Sequence, residues 1–152
     1  MNTITVDKKI YKAIVAFQTN KTQNASLMFK NLIKSYPKYA PVHYNAGVFY
    51  KNIGKFANAI SSFETTINLE KNYTNAYFEL GSIHFKNNQL DKAKNIYLKM
   101  LKLPNNNNKE VFFILGEIYQ KKNNFGKAIT YYRKCLSVDQ NDTKTIINLG
   151  YC

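Results

Sequence analysis

The sequence predicts an all-α fold: a tandem stack of antiparallel helix pairs, four of them followed by the first helix of a fifth. Three observations predict it. Gly47, Gly81, Gly116 and Gly150 are separated by 34, 35 and 34 residues. Other columns keep that register: Ala59, Ala93 and Ala128 stand twelve residues after the first three glycines, and Phe63, Tyr97 and Tyr132 four residues further on. Within each period, apolar residues recur at three- and four-residue intervals in two runs separated by a short Asn- or Gly-bearing segment, the pattern of two amphipathic helices joined by a turn.

Taken in order, the first unit spans residues 6–39, with Ala13 in the glycine column and Ala25, Phe29 and Pro37 in register behind it. The second (40–73), third (74–108) and fourth (109–142) follow, and a partial fifth occupies 143–152, the whole forming one domain over 1–152. In the second unit His43, Ala46, Gly47 and Tyr50 share one helical face, and Phe56, Ala59, Ile60, Phe63 and Ile67 form a second stripe. The segment between them is Asn52-Ile53-Gly54-Lys55, with counterparts Asn87-Asn88-Gln89 and Lys122-Asn123-Asn124. Asn and Gly accept the left-handed backbone that ends a helix. Pro41 belongs in a first helical turn, and Pro37 and Pro104 lie between units. The one extra residue of the third unit is expected in the run Asn105–Asn108. Small residues in the Gly and Ala columns let backbones approach closely, and the aromatics fill the space beside them. A single hairpin cannot bury its apolar face alone, so the stack must be continuous.

These residues resemble the tetratricopeptide repeat, whose aromatic, Leu-Gly, aromatic, Ala, aromatic pattern is matched by Tyr77…Leu80-Gly81…His84…Ala93…Tyr97 and Phe112…Leu115-Gly116…Tyr119…Ala128…Tyr132. The resemblance covers Val6 to Cys152, with departures at Lys12-Ala13, Ala46, Lys71 and Gln140. It implies a right-handed superhelical solenoid with the first helices lining a concave groove. It also implies a binding platform and no enzyme, so function must come from what the groove presents.

By helical angle, the residues that face away from the packing stripes of the first helices include one column that is apolar throughout: Ile10, Tyr44, Phe78, Phe113 and Ile147. Beside it stand Asn45, Val48, Glu79, Ser82, Phe85, Glu117 and Asn148. Two readings stay open. The column packs against neighbouring units, or it forms an apolar track for a peptide whose backbone is hydrogen-bonded by Asn45, Glu79 and Asn148. The carboxylate grip of chaperone-binding family members is rejected, because the places needing cations hold Ile10, Tyr44, Glu110 and Ile114. The asparagine ladder of members attached to sugar-transferring enzymes is matched at Asn45 and Asn148 but not at Tyr11, Glu79 or Ile114.

The chain has 152 residues, 22 basic against 9 acidic, for a formal charge of +13. All the basic residues but Arg133 are Lys, a solvated point charge that lacks the planar fork suited to phosphate. Lys51, Lys86, Lys121 and Lys122 fall near first-helix ends, where they complement the helix dipole, and Lys92, Lys94, Lys99, Lys127 and Lys134 on second helices read as a solvated face. His43 and His84 occupy aromatic core columns, Cys135 a small core place, and no Gly-rich phosphate loop or paired carboxylates occur. No catalytic residue, metal or cofactor is expected. Cys135 and Cys152 cannot build a disulfide framework, and the apolar run Ala13–Phe17 is too short for a signal peptide or a span, which places the chain in the cytoplasm.

The expected function is a non-enzymatic module that binds a partner peptide or protein segment in the groove, with no membrane partner and the expectation set against nucleic acid. Two alternatives are carried: the N-terminal substrate-recognition arm of a glycosyltransferase or sulfotransferase, and Lys-mediated binding of polyanions or nucleic acid. Ile146 and Leu149 commit the last residues to a helix without its hairpin partner. The expectation there is a longer parent protein, or self-association through the uncapped C-terminal end.

Overall fold

The computed structural model describes residues 3–104 and 108–152. Among them are nine α-helices and no strand. The first hairpin is α1 (Thr3–Gln18) and α2 (Thr22–Ser35), the second α3 (Ala40–Asn52) and α4 (Phe56–Leu69). They are followed by α5 (Thr74–Lys86), α6 (Leu90–Met100), α7 (Lys109–Lys121), α8 (Phe125–Val138) and α9 (Thr143–Gly150). Of the run assigned the extra residue, Asn105–Asn107 lie outside the described residues, and Asn108 caps α7 by accepting a hydrogen bond from the Val111 backbone N–H at 3.1 Å.

The turns between first and second helices share one geometry. Asn20, Gly54, Asn88 and Asn123 adopt φ of 59°, 75°, 57° and 55°, the left-handed region. The next N–H then reaches back five residues, Lys21 to Ala16 O, Lys55 to Tyr50 O, Gln89 to His84 O and Asn124 to Tyr119 O, at 2.8–2.9 Å. That bond closes a Schellman motif and satisfies carbonyls the ended helix would leave open. Each chain reversal is therefore made at the same step of the repeat.

Packing divides the chain into two compact units, one up to Ile83 and one from His84 onward. In the first, α1 packs on α2, α3 packs on α4, and α3 also rests on both α1 and α2. Val6, Ala13, Ala25, Phe29, Val42, Ala46, Ala59 and Phe63 form its core. In the second, α8 packs on α7 and α9, and α6 on α7, around Leu115, Ile118, Ala128, Tyr132 and Cys135.

At Gly47 and Gly116 the glycine column has the mechanical role expected of it. A Cβ built on Gly47 would come within 2.7 Å of the Phe63 ring, and one on Gly116 would run into the Tyr132 ring. The second stripe of α4 differs from expectation. Phe56 is exposed, and Ala59, Ser62, Phe63 and Thr66 are the buried set. Thr66 is tolerated there because its hydroxyl donates to Ser62 O at 2.9 Å within the helix, while Phe56 opens the helix beyond the packed part of the hairpin. The first helix departs from the others in one respect. The column Val42, Ala76, Val111 and Thr145 is fully buried, but in α1 it holds the exposed Lys8, and the column of Ala46, Leu80 and Leu115 holds the exposed Lys12.

Candidate functional site

In the first unit α1, α2 and α3 converge on a cleft of about 260 Å³. Its floor is aromatic: Phe49 of α3 stacks on Phe29 of α2 with centroids 5.0 Å apart, and meets Phe17 of α1 edge-on at 5.3 Å. Ile14 and Val48 stand half-buried as walls. Three amides, Gln18, Asn45 and Asn52, join them in the lining. Asn45 is held by its Nδ2, which donates to Pro41 O one turn back at 2.8 Å. An apolar floor with a few fixed amides suits an apolar side chain whose flanking backbone needs hydrogen-bond partners.

Of the residues expected to line a groove, Asn45 and Val48 reach this cleft. Ile10 is buried. Tyr44 packs on Phe63 and Tyr73, with centroids 5.9 and 5.0 Å away, and burial followed by the Glu79 charge pushes its hydroxyl pKa up. Glu79 accepts from Lys51 Nζ at 2.6 Å. Phe78, Ser82 and Phe85 are half-buried on α5, Phe85 beneath the Lys121 ammonium at 5.5 Å. In the second unit Phe113 packs against Tyr132 at 5.9 Å, and Ile147 is half exposed. Asn148 donates to Lys144 O at 3.1 Å. Glu117 is half-buried, which raises its carboxyl pKa against the pull of Lys121 and Lys144. Tyr44 and Phe113 thus each pack onto the aromatic of their own hairpin.

Sequence reasoning placed Phe29 in the aromatic column and gave Phe49 no role, and missed that these packed aromatics floor a cleft. It also missed the ion pairs, two between repeats and one, Lys109–Asp139, within the fourth. Lys51 binds Glu79, Lys109 binds Asp139 at 2.8 Å, and Lys122 binds Asp91 at 2.6 Å. Lys122 and Lys94 together hold the exposed Asp91 carboxyl down to about 2. A signal existed: the columns of Lys51 and Glu79 hold Phe85 and Ile114 one unit on, then Gln120 and Asn148, each pair matched in kind.

His43 Nε2 bonds Pro37 O at 2.8 Å, His84 Nδ1 bonds the Gln89 side chain, and Cys135 is buried beside Thr145 and Asp142. Among the described residues no group of three or more His, Cys, Asp or Glu could hold a metal ion, and no helix is long and apolar enough to cross a membrane.

Comparison with known proteins agrees with this architecture. The tetratricopeptide repeat pattern matches residues 40–73, 74–107 and 110–142. A crystal structure of MamA protein superposes with a TM-score of 0.86 at 22% identity, covering 97% of this chain and 80% of that one. MamA 41-end from Desulfovibrio magneticus RS-1 gives 0.82 at 17% identity over 96% and 82% of the two chains. PilF of Pseudomonas aeruginosa gives 0.78 at 15% identity over 95% and 65%. Identities at this level speak for the fold alone, that of a solenoid of helix pairs. No curated protein sequence matches the chain. With three consecutive repeats matched over more than half its length, the chain belongs to the tetratricopeptide repeat family.

Proposed function

We propose that the chain is a non-enzymatic interaction module that holds a segment of a partner protein in the cleft between α1, α2 and α3. One observation carries this reading: a cleft of about 260 Å³ with an aromatic floor, open to solvent and lined at Gln18, Asn45 and Asn52 by amides. Such a site takes one or two large apolar side chains of an extended or helical segment and offers the adjacent backbone donors and acceptors. Two free cysteines are in keeping with a reducing compartment such as the cytoplasm.

The test is a selection of displayed peptides against the full chain, followed by affinity measurement on the Val48→Lys and Asn45→Ala variants, with circular dichroism to establish that both fold. Enriched peptides should share a large apolar residue. Val48→Lys should weaken them by about tenfold or more, and Asn45→Ala by less. Peptides bound equally well by both variants would show that the cleft is not the site.

A further inference from the structure

A second surface lies on α8 of the other unit. Lys127, Tyr131, Lys134 and Val138 follow one another at helical spacing and form a single stripe. The rings beneath it are set in order. Tyr119 of α7 stacks on Tyr131 with centroids 5.4 Å apart and planes 9° from parallel. Lys127 Nζ lies over Tyr119 at 5.4 Å, and Lys134 Nζ lies over Tyr131 at 5.3 Å and Phe112 at 6.0 Å. Attraction to the rings biases the two ammonium groups toward these positions.

Their charge is not answered. In the same unit Lys94, Lys109 and Lys122 each have an aspartate partner, whereas among the described residues neither Lys127 nor Lys134 has a carboxylate within 4.0 Å. Arg133 beside them is exposed as well. The same columns one repeat earlier hold Lys92, Ile96, Lys99 and Leu103, so the alternation of cation and apolar residue occurs twice.

The geometry points to a docking surface for an acidic segment of a partner protein, carrying two carboxylates about 10 Å apart, the axial separation of residues two helical turns apart. Charge complementarity selects an anion. The cations of the stripe are lysines, and Arg133 lies about 100° round the helix from Lys134, so the stripe itself presents no arginine fork and does not favour phosphate, and each tyrosine of the stack already has a cation and a ring against it, which leaves bases no platform. Val138 is the one exposed large apolar residue on the stripe, too little for insertion into a bilayer.

The probe is a labelled synthetic helical peptide with Glu residues seven apart and Leu between them, followed by fluorescence anisotropy on the full chain. A Gln version, oligothymidylate and phosphatidylserine vesicles run beside it. The Glu peptide should bind, weaken by about tenfold between about 50 and about 300 mM salt, and weaken by about tenfold in the Lys127→Gln/Lys134→Gln variant. Lys8→Gln/Lys12→Gln removes the same charge from exposed sites on α1, and should change binding less than about twofold, as should Val48→Lys. Equal losses in the two lysine pairs would reduce the effect to net charge. Absence of binding, or tighter binding of the oligonucleotide or vesicles through the same lysines, would also overturn the assignment.

Discussion

Gly116 of α7 faces the ring of Tyr132 of α8 so closely that no Cβ fits between them. Tyr132 is fully buried and its hydroxyl donates to Gln120 Oε1 at 2.7 Å, so the ring cannot swing away without losing both packing and a hydrogen bond. Burial also raises the hydroxyl pKa, with the Glu117 charge adding to it. The glycine column of the repeat is thus set by the aromatic column sixteen residues later.

Gly116→Ala should therefore destabilise the chain by about 1–3 kcal/mol through overpacking, more than the gain of about 1 kcal/mol that alanine brings to a helix. Gly47→Ala, against Phe63, should do the same. Gly150 in the same column has nothing within 4 Å, and its alanine variant should be neutral or slightly stabilising. Urea unfolding of the three variants checks the ordering. Equal effects at all three sites would mean that ring contact is not what fixes the column.

Lys51 and Glu79 join the end of α3 to the middle of α5, with side chains only 28% and 19% exposed. A double-mutant cycle with Lys51→Met and Glu79→Gln should give a coupling of about 1 kcal/mol, at the upper end of the range for exposed pairs because both groups are partly shielded. Raising salt should shrink it only modestly. A coupling near zero would make the pair incidental.

Asn123 holds φ of 55° at the end of α7. Asn123→Ala should cost about 1 kcal/mol because it keeps the Cβ that strains that region and loses the short polar side chain by which Asn tolerates it, whereas Asn123→Gly, with no Cβ, should be nearly neutral. Gly54→Ala, at φ 75° with open space around it, should also cost about 1 kcal/mol. Thermal unfolding separates these backbone effects from lost contacts.

Glu117 carries a carboxyl pKa raised by burial, with Lys121 and Lys144 opposing the shift. The fold disfavours its charged form. The stability linked to this group is fully present below the unfolded value near 4.5 and lost as pH rises through the raised folded value. Glu117→Gln should raise Tm at pH 7, and the difference should fade as pH drops toward 4. An unchanged difference across that range would contradict the burial argument.

The architecture was legible in the sequence because a solenoid repeats its constraints. Each turn needs a left-handed residue, met by Gly54, Asn88 and Asn123, and each close approach needs Gly or Ala under an aromatic. The site was less legible. Tyr44 and Ile10 sit on the face that helical angle assigns to the groove, yet one packs on Phe63 and Tyr73 of its own repeat and the other is buried. Helical angle gives direction but not how far a neighbouring helix extends over a residue. The cleft depends on three helices converging, and its floor residues Phe29 and Phe49 carry the same apolar signature as pure core. Lys127 and Lys134 read as a solvated face because the rings beneath them come partly from α7.

Hydrogen–deuterium exchange on the full chain, with and without a peptide selected against it, tests the central claim most directly. Protection concentrated at residues 14–18 and 45–52, with α8 unchanged, is the result expected of a protein segment seated in the first-unit cleft. Protection confined to α8, or a bound peptide that leaves 14–18 and 45–52 exchanging as in the free chain, would contradict it.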